Sequence, residues 1–497
     1  MNSSYPIYLV AIAAVTAIAI LNRILRYRKL REFSTQHHCE KTTYETRFQH
    51  DYLGLGKAVE LGFAFRRKQS LSYTNKLFLQ HGHTYGTKIL GLKLVFTCHA
   101  QNIKQVLSTG FVDYDSSQLR GHLFDCVAPS SIFAVDGPEW KSVRGLWQRQ
   151  LSKHGQICDL PMYERHLQNF IQHVPTDGDA FDIQALFFNL CADITSSFAL
   201  GESLDALCHM QSPEKKRFAE DLVYIKHTIA KNGFRGPLHW IFGKKQFVDA
   251  CARARRYVMA YAEHALDVTA TNTTMEQESP MDVKDISQLT DHAMTLMIAA
   301  VDSVTSLLSA TIFLLSQNRR VFRKLRNSII DAIGYDCPTY KQLRGLKYMR
   351  WLISAALRLF PPAPFNARTA SKDTVLPCGG GSRGDLPVLV ERGSIVVFST
   401  WASHRLGADF EDSPQDFIPE RWELLDREIP GFLPFSKGPR ICPGQQYAMT
   451  EASYVVCRIL QTFSTITDYN TEGWSERIVL TLENDNGVVV GLRKESE

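Results

Sequence analysis

No two cysteines in this chain stand at zinc-site spacing. The eleven, Cys39, Cys98, Cys126, Cys158, Cys191, Cys208, Cys251, Cys337, Cys378, Cys442 and Cys457, are scattered and odd in number. That pattern excludes a complete disulfide framework and reads as a reduced, cytosol-facing chain of mostly structural thiols. An excess of charge is also missing. Lys and Arg total 56 against 51 Asp and Glu, a formal net charge of +5. With no alternation of basic and aromatic residues, this excludes a nucleic-acid surface. A phosphate loop is absent too, since Gly54-Leu55-Gly56-Lys57 lacks the remaining glycine and the Ser or Thr. Gln36-His37-His38-Cys39 needs no reading beyond a surface loop. No proline-rich hinge follows the N-terminal apolar run.

That run is the first positive signal. Pro6 to Leu21 is apolar except for Thr16, within a helical stretch from Tyr5 to Leu25. A helix of that length spans about 31 Å, enough for a bilayer core. Arg23, Arg26, Arg28, Lys29 and Arg31 follow at once. Positive charge favours the cytosolic side, so the N-terminus is expected in the lumen and the bulk in the cytosol. A cleaved signal peptide would carry its charge before the apolar run, and no clear small-residue cleavage site ends this one. The expected division is a membrane anchor over residues 1–31 and one catalytic domain over 32–497. Of two glycosylation sequons, Asn2-Ser3-Ser4 would be lumenal and Asn272-Thr273-Thr274 cytosolic and bare.

The chain is organised around Phe435-Ser436-Lys437-Gly438-Pro439-Arg440-Ile441-Cys442-Pro443-Gly444. An isolated cysteine is usually a buried free thiol. Here Phe, Gly, Arg, Cys and Gly stand at set spacing, which chance produces roughly once in ten thousand chains of this length, so the spacing outweighs the ordinary reading. Gly438 and Gly444 let the backbone approach a metal plane closely. An apolar helix pattern runs from Gln445 through Leu460. Its N–H groups and positive end lie beside Cys442 and favour thiolate over thiol. Arg440 supplies a cation for a ligand carboxylate. This stretch resembles the heme-binding loop of the cytochrome P450 superfamily, in which the cysteine thiolate is the axial iron ligand. The resemblance covers the chain beyond its first thirty or so residues. Phe365-Asn366-Ala367-Arg368-Thr369-Ala370, the pair His404-Arg405, and Gly444 to Ser453 are similar to the fungal alkane- and fatty-acid-hydroxylating branch.

Other stretches fall into place beside it. Thr87 to Phe96 reads as a β-hairpin turning at Gly91, and Val112 to Ile132 as irregular. Trp140 and Arg144 share a helix face through their spacing of four. Alone they are an ordinary amphipathic pair; the resemblance implies that they hold a heme propionate. Asp182 to Leu200 and Lys215 to Ala265 read as amphipathic helices, with a loop near Asn232 to Gly243. Thr269 to Gln288 is a polar linker. Leu289 to Leu315 is one apolar helix carrying Asp302 and Ser303 in its interior, where an acid is costly unless used. The resemblance implies an oxygen-activating helix, with Ser303 in place of the family's Thr and Ala300 in place of its Gly. Val321 to Phe360 reads as two helices, and Gly379-Gly380-Gly381 as a loop between strands. The family's Glu-x-x-Arg is Ala355-Ala356-Leu357-Arg358 here. Arg358 and Arg421 therefore lack their usual carboxylate, and Glu420 or backbone carbonyls of the heme loop are the expected substitutes.

The implied fold is mainly α with small β-sheets, a cytochrome P450 fold plus one N-terminal transmembrane helix. The implied activity is insertion of one atom of O2 into an apolar, alkyl-bearing small molecule, such as a fatty acid, an alkane or a secondary metabolite. Heme b would be the cofactor and NADPH-cytochrome P450 reductase the electron donor, at the endoplasmic reticulum membrane. Cys442 would be the iron ligand. Trp140, Arg144, Arg368, Phe435, Gly438, Arg440 and Gly444 would bind the cofactor. Asp302 and Ser303 would relay protons, and Arg358 and Arg421 would be structural. A heme-thiolate isomerase, dehydratase or peroxygenase, or a heme-binding protein without turnover, are the alternatives that the Ala300 and Ala355 departures leave open.

Overall fold

A computed structural model of the chain describes residues 5–42, 51, 53–151, 158–208, 210–241, 243–271, 285–410, 412–424 and 429–495. Both sequons and most of the polar linker lie outside these residues.

The first helix, α1 (Tyr5–Gln36), continues without a break past the apolar run. Its apolar side chains Val10, Ile12, Val15 and Ile18 are all more than half exposed. A helix this long whose apolar residues point outward on every side is suited to lipid rather than to a protein core. In place of a hinge, Arg26 forms a two-pronged ion pair with Asp373 at 2.6 and 2.5 Å, tying the helix to the domain. Among the described residues two other helices are long and apolar enough to cross a membrane, Ile183–Leu200 and Ile286–Gln317. Both are packed inside the fold, so they are core helices.

After α2 (Leu55–Arg66) and α3 (Ser70–His81) comes the hairpin of β1 (Thr84–Ile89) and β2 (Leu92–Thr97). Leu90 and Gly91 both adopt positive φ at its turn, as a two-residue loop between twisted strands requires. The region 112–132 is less irregular than its sequence suggests. It contains α5 (Ser117–Phe124), after α4 (Ala100–Lys104) and the short strand β3 (Tyr114–Asp115). Then follow α6 (Gly137–Leu151), α7 (Leu160–Gln172), β4 (Phe181–Asp182), α8 (Ile183–Leu200), α9 (Pro213–Arg235), α10 (Lys245–Thr271) and α11 (Ile286–Gln317). The predicted loop at 232–243 is only partly a loop: α9 runs to Arg235, and a single 3-10 turn covers Gly236–Ile241.

The stretch 321–360 holds three helices where the sequence suggested two: α12 (Arg319–Ile333), α13 (Tyr340–Gly345) and α14 (Lys347–Leu359). Thr339 and Gln342 close a capping box at the start of α13, a local signal that was legible but missed. Strands β5 (Phe365–Ala370), β6 (Thr374–Gly380), β7 (Leu386–Val390) and β8 (Ile395–Ser399) follow. Gly379 and Gly380 lie in β6, not in a loop. A Cβ at Gly379 would sit 2.6 Å from Thr84, and one at Gly380 2.6 Å from the Pro387 carbonyl, so close strand approach explains the glycines. The chain ends with α15 (Thr400–Leu406), α16 (Arg421–Leu424), α17 (Gln445–Thr462) and strands β9 (Thr465–Asp468), β10 (Glu476–Ile478), β11 (Leu482–Asn484) and β12 (Val489–Arg493).

The main sheet has the order β1-β2-β8-β5-β3, with β2 and β8 parallel and the other neighbours antiparallel. The remaining strands form three small sheets. Helix α11 is the central rod: it packs on α8, α10, α14 and α17. The largest cluster of buried side chains surrounds it. The fold is thus mainly helical, with small sheets at its margins.

A chain lacking residues 1–31 is expected to move from the membrane pellet to the soluble fraction in a carbonate or high-salt wash, while the full chain stays. Full-length protein released by salt alone would rule out a spanning helix.

Candidate active site

The loop Phe435 to Gly444 is held in an unusual backbone path. Ser436 and Gly438 both have positive φ. A Cβ on Gly438 would lie 1.8 Å from the Leu107 carbonyl oxygen, so no other residue fits there. The Cys442 N–H donates to the Phe435 carbonyl at 2.9 Å, closing the loop on itself. Cys442 stands three residues before α17 and Gly444 is that helix's N-cap. Burial pushes the Cys442 thiol up, against the Gly444 N–H and the Arg144 guanidinium, which favour the thiolate. The expected thiolate-favouring effect of the helix end is therefore present but outweighed by desolvation.

Four arginines converge near this loop. Arg144, on α6, donates to the Ile441 carbonyl at 2.6 Å, and its buried Nε has no partner among the described residues. Arg440 donates to the carbonyls of Ile132 and Val135, pairs with the Asp136 carboxylate, and lies 4.5 Å over the Trp140 ring. Arg368, on β5, donates to Asn366 Oδ1 at 2.8 Å and the Ala367 carbonyl at 2.7 Å. Arg120, on α5, donates to the same Asn366 oxygen at 2.6 Å. Burial lowers Arg368 to about 9, with Arg120 and Arg440 acting in the same direction. Burial likewise lowers Arg440 to about 10, with Arg120 and Arg144 adding to it and Asp136 opposing. Arg440 thus links Arg144 on one side to Arg120 and Arg368 on the other. Two carboxylates, Asp136 and Asp115, act on Arg440. Four cations against two carboxylates leave an excess of two positive charges. An orphaned Arg144 Nε, a surplus of two charges and a nearby thiol fit a planar group carrying two carboxylates and a metal. Trp140, Arg144, Arg368, Arg440 and Cys442 are thus brought together as the sequence predicted. Arg120 was missed, because nothing in its local sequence marks it; only the fold places it beside Asn366.

The second component is on α11. Between Thr290 and Ser316 every residue is buried except Ala293, Leu296, Ala299, Ala300 and Ser303. Their three- and four-residue spacing marks one face. Ser303 Oγ donates to the Ala299 carbonyl at 2.8 Å. Asp302, only 2% exposed, forms an ion pair with Lys226 of α9, whose side chain is 4% exposed. The sequence gives no hint of this partner.

The missing glutamate is replaced as follows. Arg358 donates to the carbonyls of Pro414 at 2.6 Å, Asp416 at 2.7 Å and His404 at 3.3 Å. Arg421 donates to those of Asp412 at 2.7 Å and Ser413 at 3.1 Å. Carbonyls substitute for the carboxylate, as expected, but they belong to α15 and the segment before α16 and not to the heme loop. Glu420 is not the substitute. It accepts from Arg320, Lys324 and Tyr348 instead.

The cytochrome P450 family profile matches residues 53–484. The chain belongs to the cytochrome P450 family. Cytochrome P450 monooxygenase fsdH of Fusarium heterosporum is 32% identical, over 96% of this chain and 87% of its own length. Cytochrome P450 monooxygenase himC of Aspergillus japonicus is 33% identical, over 98% and 90%. Cytochrome P450 52A3-A of Candida maltosa is 31% identical, over 97% and 96%. The chain is a P450 monooxygenase of the fungal type, and the family implies a heme-thiolate centre.

One buried acid lies two turns into α17. Glu451 is fully buried, and both carboxyl oxygens lack a partner among the described residues. Burial raises it from 4.5 to about 8, with Cys191 opposing. Such a carboxyl ionises less readily folded than unfolded, so stability is intact below pH 4.5 and falls as pH rises towards 8. Relative to Glu451→Gln, the wild type should lose on the order of 5 kcal/mol between pH 4.5 and 9, from the shift at 1.36 kcal/mol per unit. Urea unfolding of both at a series of pH values checks this; parallel curves would show that Glu451 is ionised or solvated.

Proposed function

We propose that this P450 inserts one oxygen atom into an apolar, alkyl-bearing small molecule while anchored by α1, with its catalytic domain in the cytosol at the endoplasmic reticulum. Electrons would come from NADPH through NADPH-cytochrome P450 reductase. The observation that carries the reading is the arginine cluster beside Cys442, with its surplus of two positive charges.

Heme b, when bound, supplies the binding and activation of dioxygen at iron. In this reading Cys442 is its thiolate ligand, and ligation to the metal offsets the desolvation that otherwise favours the thiol. Arg144, Arg368 and Arg440, with Trp140 and with Arg120 added, take the two propionates. Gly438 and Gly444 admit the close approach, and Phe435 holds the loop through its carbonyl. The α11 face of Leu296, Ala299 and Ala300 presents no charge, which supports an apolar substrate. Ser303 keeps a hydroxyl at that face, and with Asp302, next to it in sequence, it would relay protons. Arg358 and Arg421 fix the segment before α16.

The test is incubation of membranes carrying the protein and a reductase with NADPH and a panel of fatty acids, alkanes and fungal extracts. A product heavier than its substrate by one oxygen, dependent on NADPH, is expected. Rearranged or dehydrated products of unchanged oxygen count would favour a heme-thiolate isomerase or dehydratase, and oxygen insertion driven by peroxide alone would favour a peroxygenase. With Ser303→Ala the ratio of product to NADPH should fall as peroxide leaks, within the roughly 10²–10⁴ range of proton-transfer catalysis. An unchanged ratio would place the relay elsewhere.

A further inference from the structure

The C-terminal part of α1 is splinted to the catalytic domain at two points, which lie at the two ends of one strand. Asp373 immediately precedes β6, and its carboxylate takes both prongs of Arg26. The Arg392 N–H donates to the same carboxylate at 2.9 Å, so the β7–β8 turn holds it in place. At the far end of β6, Thr42 bridges Gly380, and the Gly381 N–H donates to the Lys41 carbonyl at 3.0 Å. The Glu40 N–H donates to the Pro387 carbonyl of β7 at 2.8 Å. A Cβ on Gly380 would lie 2.9 Å from the Glu40 carbonyl oxygen, so the glycine also admits this segment. The lengths agree. The strand β6, Thr374–Gly380, covers about 23 Å. From Arg26 to Gln36 the helix rises about 15 Å, and the turn after it covers the rest. That turn is closed by the Cys39 N–H on the Ser34 carbonyl at 2.8 Å and by Ser34 Oγ on the Cys39 carbonyl at 3.1 Å. No glycine or proline stands between Ile7 and Glu40.

We propose that the β5–β6 and β7–β8 turns form a second membrane-contact surface, seated on phospholipid headgroups, and that the Arg26–Asp373 pair sets the tilt of the catalytic domain on the bilayer. The inference rests on α1 spanning that bilayer. An unbroken helix fixed at two separated points does not swing against the domain, so the place where α1 leaves the lipid decides how the domain lies on it. Arg26 directly follows the stretch Tyr5 to Leu25, which is long enough for the bilayer core. Its partner Asp373 is thereby brought to the level of the headgroups, and the two turns that meet on Asp373 come with it.

The charges at this end of the domain suit a lipid surface. Three carboxylates stand there, Asp113, Asp373 and Glu391. Each pairs with a cation, Lys372 at 2.7 Å, Arg26 at 2.5 Å and Lys93 respectively. None of the three is left to repel the negative surface of a cytosolic leaflet. Arg392 is exposed at the tip of the β7–β8 turn, and Arg23, Arg28, Lys29 and Arg31 add positive charge along α1. Cations placed within a Debye length of anionic headgroups strengthen such a contact.

The full-length holoprotein is tested in bilayers of mixed zwitterionic and anionic phospholipid. A fluorescent non-natural residue in place of Arg392 keeps the backbone N–H to Asp373, and its quenching by lipids brominated near the headgroup reports contact. Linear dichroism of the heme in oriented bilayers reports the tilt of the domain. With the pair intact, strong quenching and one narrow heme tilt are expected. Asp373→Ala and Arg26→Gln should each lower the quenching several-fold and broaden the tilt, with heme content unchanged. The exchanged pair, Arg26→Asp with Asp373→Arg, should restore both. Arg26→Gln leaves every residue of the domain in place, so it decides the matter if Asp373→Ala fails to fold. Quenching and tilt in Arg26→Gln equal to those of the intact pair overturn the proposal. So does a lack of quenching in the intact protein while it stays in the pellet of a carbonate wash. Release of the intact protein by that wash would overturn the spanning-helix reading itself, and the proposal with it.

Discussion

Four guanidinium groups withdrawn from water around one thiol set the terms for this structure. Taking a charge out of water costs several kcal/mol unless it is paired, and Asp136 and Asp115 answer only half of the four. The surplus is tolerated because each arginine also serves as a strut. Arg440 joins the cysteine loop to the turn after α5 and, through Asp136, to the N–H groups of Ser116 and Ser117. Arg120 and Arg368 meet on Asn366 and so join α5 to β5. Arg144 ties α6 to the residue before Cys442. The same groups that call for a dianionic partner therefore shape the place where one would sit. An apolar replacement would remove the strut along with the charge.

A second set of buried cations supports the loop from the other side. His404 is fully buried and held neutral, with its pKa lowered to about 3 by burial. One ring nitrogen, Nε2, accepts the Leu433 N–H at 3.0 Å, and Nδ1 faces the Arg358 carbonyl at 3.2 Å. Arg405 donates to the Leu359 carbonyl at 2.6 Å and lies 3.4 Å over the Trp401 ring. The end of α14 is thereby joined to the chain entering the cysteine loop. Where a carboxylate would neutralise Arg358, five carbonyls of three short stretches share Arg358 and Arg421. Carbonyl dipoles satisfy donors without cancelling charge, and burial lowers Arg358 to about 10, with Arg421 adding to the fall. Packing of the Arg358 guanidinium 5.4 Å over Phe410 adds to its stabilisation. Ala355 is thus accommodated by a rearranged hydrogen-bond set and not by a relocated acid.

Much of the site was legible because it is local. Gly438, Arg440, Cys442 and Gly444 lie within seven residues, and Trp140 with Arg144 within one helical turn. The long helices were legible from their apolar period, as with α8, α9 and α11. What was not legible depends on distance along the chain. Arg120 gains its meaning from Asn366, 246 residues away, and Asp302 from Lys226, 76 residues away. The glycines of β6 looked like a loop because a strand crowded by Thr84 and Pro387 has the same composition as a turn. Glu420 looked like the partner of Arg358 because it adjoins Arg421, whereas its side chain faces α12.

The central claim is that Cys442 ligates heme iron as a thiolate within this arginine-lined site. The most direct measurement is the absorption spectrum of the dithionite-reduced protein under carbon monoxide. The account predicts the red-shifted Soret band of a thiolate-ligated heme, and its complete loss in Cys442→Ala. A Cys442→Ala protein that keeps the band, or a wild-type protein that binds heme and never shows it, would contradict the account.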